Sequence, residues 1–120
     1  MASKRQPKGF DRSQFLRELK EEFPELRASL NKEHGLLHLE VHAFHWFTQD
    51  AINRGDAKTV THCFRLAERF LLYGNGNLSN AIGVSFVEHL EFSNDRAWAW
   101  KKLPASLKEA YEALCGKQAI

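Results

Sequence analysis

The stretch EHGLLHLEVHAFHWF, residues 33–47, holds four of the chain's six histidines, at His34, His38, His42 and His45. At about 100° per residue the four fall within about 80° of one another on an unbroken helix, so they share one narrow face. Leu36, Leu37, Leu39, Val41, Ala43, Phe44, Trp46 and Phe47 take up almost all of the remaining circumference. Such a wheel describes a core helix with one polar edge. Glu40 falls inside the apolar arc, where a carboxylate requires hydrogen bonds or a function.

The same helical period runs outward in both directions. Asp11 can cap a helix carrying Phe15, Leu16, Leu19 and Phe23, which Pro24 breaks or restarts. From about Glu25 to Asn53 the apolar positions stay dense and helical, with Asn31 to Gly35 as a candidate interruption. Asn53-Arg54-Gly55-Asp56 supplies a glycine stop and a new cap. Val60, Phe64, Ala67, Phe70 and Leu71 then make a helix that closes at Tyr73-Gly74-Asn75-Gly76-Asn77, a turn by composition. Leu78, Ile82, Phe86 and Leu90 recur at steps of four and predict a further helix reaching about Phe92. A short turn follows at Ala97 to Lys102, and Pro104 opens a last helix with Leu107, Ala110, Tyr111 and Leu114, Gly116 lying past its end.

No segment alternates like a strand or is rich in β-branched residues. The expected fold is all-α, a single compact domain of about five or six helices packed as antiparallel helical hairpins. Residues 1–9 read as a flexible basic N-terminal segment, 10–116 as the helical domain and 117–120 as a short C-terminal tail. GDAKTVTHCFRLAERFL (55–71) and GNGNLSNAIGVSFVEHL (74–90) each join a glycine turn to an apolar helix, a HEAT-like echo. Two units fall short of the roughly three that a solenoid requires.

Composition narrows the function classes. The 120 residues are 43% hydrophobic and 27% charged, values of an ordinary globular domain. No window approaches the roughly 18 apolar residues of a membrane span, and the basic start is not followed by an apolar signal core, so a cytoplasmic protein is expected. Cys63 and Cys115 lie far apart and form no CxxC pair, as expected for free thiols. A net charge of +2 is too small to announce nucleic-acid binding. Its distribution is uneven: bases crowd the first twenty residues, whereas Glu88, Glu91 and Asp95 form an acidic stretch without a base.

Three motifs invite a chemical reading. His38 and His42 stand at the i,i+4 spacing of a two-histidine chelate, but HGLLHLEVH lacks the glutamate that gives HExxH its general base, and a catalytic metal normally takes three protein ligands. The polar helix edge is the leading reading of the stripe, with a partner-binding strip next and a metal site on His34, His38, His42 and His45 as the alternative. His62-Cys63 with Arg69 matches the letters HC-x5-R, yet it has no glycine, carries Glu68 where an anion would sit and follows a helical period, so it does not encode a phosphate-cradling loop. Gly74 to Ser79 lacks the lysine and the preceding strand of a nucleotide loop and reads as a connector.

Leu37-His38-Leu39, Asn53-Arg54-Gly55-Asp56, NAIGVSFVEHLEF (80–92) and Leu103-Pro104 with Leu107 and Tyr111 together resemble a family of small bacterial all-helical domains of uncharacterised function. The resemblance spans about Phe10 to Leu114. Members are similar to compact helical proteins encoded beside secreted or contact-dependent toxins, some of which act as immunity proteins. It implies a protein that binds and neutralises a cognate toxin in the producer's cytoplasm, and it carries over no catalytic residue. The expectation is therefore a non-enzymatic protein-binding domain that needs no cofactor. Its partner-binding residues are sought among Glu88, His89, Glu91, Asp95, Trp98 and Trp100, where charged and aromatic anchors cluster.

Overall fold

Asp11 opens the first helix as the sequence predicts: its carboxylate accepts from the Gln14 backbone N–H at 3.0 Å while the Gln14 side chain accepts from the Asp11 N–H, a reciprocal cap. The computed structural model describes residues 9–33 and 35–115. Of the basic lead-in at 1–9, only Gly9 is among them; His34, Gly116 and the tail at 117–120 lie outside the described residues.

Among the described residues seven α-helices follow in order: α1 (Arg12–Glu22), α2 (Arg27–Lys32), α3 (Leu37–Arg54), α4 (Ala57–Tyr73), α5 (Gly76–Ser85), α6 (Ala97–Lys102) and α7 (Ala105–Cys115). Short 3-10 turns cover Pro24–Leu26, Val87–His89 and Asn94–Arg96. The fold is all-α, with slightly more helices than the sequence suggests. The extra helix arises where Pro24 ends α1 and the Glu33–Leu36 turn separates the six-residue α2 from α3. Among the described residues the one β-type contact is an isolated bridge between Phe10 and Gly74.

A chain of phenylalanines ties the helices together. Phe15 on α1 meets Phe70 on α4 edge-on at 5.0 Å and Phe44 on α3 at 6.4 Å, and Phe44 meets Phe86 at 4.7 Å. All four are buried; the two Phe15 contacts add edge-to-face geometry, while Phe44 and Phe86 meet tilted at 33°. α3, α4 and α5 pack on one another, α7 lies against α4, α5 and the Val87–His89 turn, and α6 packs on α4.

Glycine and proline set the corners. Gly55 takes the left-handed conformation (φ 77°), which lets the Asp56 N–H close on the Ala51 carbonyl at 2.9 Å and turns α3 into α4. At Gly74 an added Cβ would run into the Phe70 carbonyl oxygen, so only glycine fits the α4–α5 corner.

One predicted element is shorter than expected. The helix through NAIGVSFVEHLEF stops at Ser85; residues 87–89 form a 3-10 turn, and Leu90 adopts extended backbone. From Ala81 to Val87 every residue except Val84 is buried, so the apolar run has no single face. Steps of four fit such a run whether the helix continues or ends.

Candidate functional site

Glu40, the carboxylate within the apolar arc, is fully buried and serves the fold. Arg12 grips it with two parallel bonds of 2.7 Å, and the Gly35 N–H donates to it at 3.0 Å. α1, α3 and the turn preceding α3 are thereby locked to one carboxylate.

The histidines of α3 divide by environment. His38 is exposed, its Nδ1 2.8 Å from the Ser85 hydroxyl at the end of α5. His42 is half-buried, and burial followed by the charge of His89 lowers its pKa. His45 is only 2% exposed; burial first, then repulsion from His42 and His89, pushes its pKa down to about 4. Its Nδ1 is buried without a hydrogen-bond partner.

His89 arrives from the turn after α5. Its ring centroid lies 5.1 Å from that of His42 and 5.8 Å from that of His45, while His42 and His45 stack at 5.1 Å. Trp46 borders the same group, 5.0 Å from His45 and 5.7 Å from His42. As arranged, no group of three or more His, Cys, Asp or Glu side chains among the described residues could hold a metal ion.

Next to this cluster lies the acidic stretch. Glu88, His89, Glu91 and Asp95 are all exposed. The backbone at Glu91 is held by Gln49, a buried side chain on α3: its Oε1 accepts from the Glu91 N–H at 2.9 Å and its Nε2 donates to the Glu91 carbonyl at 3.0 Å. Gln49 thus pairs with Glu91 as a neighbouring strand would, leaving the Glu91 side chain outside.

Further ties fix the flanks. Arg96 donates to the Asn53 carbonyl at 2.7 Å, and Cys115 Sγ donates weakly to the Glu88 carbonyl at 3.6 Å. Asp95 accepts from Ser93 Oγ at 2.7 Å and from Arg96 at 2.9 Å, and the Ser93 bond is the first cause of its lowered pKa. Phe92 stands edge-on to Trp100 at 5.4 Å and to Tyr111 at 5.8 Å, with Trp100 and Tyr111 themselves 5.4 Å apart.

Of the six residues expected to bind a partner, four charged or imidazole side chains are therefore presented outward on one braced segment. Trp98 and Trp100 are half-buried against the core, and Trp100 belongs to the brace. Trp46, whose indole is 60% exposed, and Gln49, the clamp, are not marked by the sequence as residues of the site. A glutamine three residues past Trp46 in a core helix was the available signal, but its partner is 42 positions away.

Cys63, the cysteine of the HC-x5-R spacing, lies buried within α4, and burial pushes its thiol up to about 12, so it offers no thiolate. No helix among the described residues is long and apolar enough to cross a membrane. A family model described as a domain of unknown function, DUF7674, matches residues 16–118. No curated protein and no solved structure matches the chain.

Proposed function

We propose that this chain, which belongs to the DUF7674 family, is a non-enzymatic protein-binding domain of the cytoplasm, acting as an immunity protein that binds and neutralises a cognate toxin. The braced acidic segment supports this reading: Glu88, His89 and Glu91 face outward, with the Glu91 backbone clamped by buried Gln49 and the Glu88 carbonyl accepting from Cys115. A recognition surface held in one conformation before binding loses little entropy on association. Acidic side chains without an intervening Lys or Arg suit a partner whose contact surface is basic, and such charges act on encounter rate and selectivity. The family resemblance carried by the same stretch supports the toxin-neutralising role.

The test is genetic. The products of genes adjacent to this one are expressed singly and together with the chain. One product should arrest growth, the wild-type chain should restore it, and an E88K/E91K variant should restore it poorly while keeping its helical circular dichroism. If no adjacent product is toxic, or if E88K/E91K protects as well as wild type, the proposal fails.

The proximity of His42, His45 and His89, with Nδ1 of His45 unpartnered, favours metal binding as a second reading. It requires the rings to reorient from their present arrangement, which holds no metal group. Elemental analysis of tag-free protein decides it: a stoichiometric transition metal lost in H42A/H45A supports this reading, and a metal-free protein rejects it.

A further inference from the structure

Beyond the acidic segment, the molecule presents a second surface with a different character. Leu39, Ala43 and Trp46 recur at i, i+4 and i+7 along α3, the spacing of one helix face. Trp46 is 60% exposed, Leu39 45%, and Leu36 just before the helix 55%, so half of the six large hydrophobic residues exposed in the described chain fall here. Leu39, Ala43 and Trp46 themselves line a groove of about 460 Å³ between α2 and α3, with Leu26 and Phe47 also in its walls.

Leu39, Ala43 and Trp46 lie on the half of α3 that runs beside α2, and the groove parts them from Leu26 and Ser29 instead of letting the two elements close on one another. The chain itself provides nothing else for this face among the described residues. A row of large apolar side chains beside an open groove is what interfaces present and what an isolated surface rarely keeps.

The occupant is indicated by the charges. The groove is rimmed by Glu25, Glu33 and Lys32, and Asp50 and Arg54 pair further along α3. A partner of one sign would leave part of this mixed rim unmatched. A second copy, turned about a two-fold axis, brings the same patch against itself, so acid can meet base on both sides at once. Trp46, 60% exposed, lines that groove and so lies where the two copies meet.

We propose that this face is a homodimer interface in which α3 packs on α3 of a second copy, with Trp46 as its central anchor and Lys32 facing Glu25 or Glu33 across the axis. Sedimentation velocity of the full chain over low to high micromolar concentrations tests it. The wild type should form a dimer. W46E should raise the dissociation constant by about tenfold or more with its circular dichroism unchanged. K32E, with an all-acid rim, and E25K/E33K, with an all-basic rim, should each dimerise less than wild type, yet pair when mixed. A wild-type chain that stays monomeric throughout would overturn the proposal and assign the face to a foreign partner. A dimer indifferent to W46E and to both charge variants would overturn it equally.

Discussion

His45 is where burial and chemistry conflict most directly. Its imidazole has a folded pKa of about 4 against 6.5 when free, so between these values the unfolded chain binds a proton that the folded chain refuses. Stability is then full above about pH 6.5 and falls as the pH drops toward 4, by on the order of 2 kcal/mol between about pH 7 and pH 5 from this residue. Urea unfolding at the two pH values measures it, and a His45→Phe variant should show a shallower dependence. The Arg12–Glu40 pair gives a second test at this scale. Arg12→Ala strands a fully buried carboxylate with only the Gly35 N–H and should cost about 3 kcal/mol, whereas the R12M/E40L double variant should cost less than the single one. Equal losses in the two variants, read from denaturant midpoints, would show that the charge is not what matters. The sequence exposes Glu40 as an anomaly, since one carboxylate interrupts an apolar arc; its partner was hidden because Arg12 lies 28 residues earlier in a stretch that reads as generally basic.

Among the elements, α3 shows what periodicity can and cannot deliver. Its existence, its glycine stop at Gly55 and the cap at Asp56 are all written locally, because a helix end is a matter of a few adjacent residues. Gly55→Ala should accordingly cost about 1 kcal/mol, because the position requires a positive φ, and thermal melting reads this directly. Which side of α3 faces water is not local information. With apolar residues nearly all round, the wheel does not separate Trp46 from the core residues, and only the packing of neighbouring elements leaves its indole 60% exposed. The break after Ser85 was illegible for the same reason, since Ala81 to Val87 is buried almost without a polar face to mark a boundary. The segment beyond that break depends on Gln49. Gln49→Ala removes both bonds to the Glu91 backbone and should cost about 1–3 kcal/mol, with faster hydrogen exchange at the Glu91 amide than at amides within α4. Unchanged protection at Glu91 would mean that Phe92 and its aromatic neighbours hold the segment unaided.

At the scale of the whole molecule, two surfaces are separated by chemistry while sharing the histidine cluster as a border. One is the acidic, rigidly held segment after α5, and the other is the apolar face of α3 with its mixed rim. The acidic residues were visible in the sequence as a run without bases, and the fold adds the reason they can act together, a backbone fixed at Glu91, Phe92 and Arg96. Because the chain's net charge is +2, any attraction to a basic partner must arise locally and be sensitive to salt. Toxin binding by the acidic segment is decided by titrating the purified chain into the purified product whose toxicity it relieves, by calorimetry at low and at moderate salt. Saturable binding that weakens with salt and falls by about 100-fold in E88K/E91K is expected. Binding unaffected by that variant and by salt, or no binding by a correctly folded chain, would contradict it.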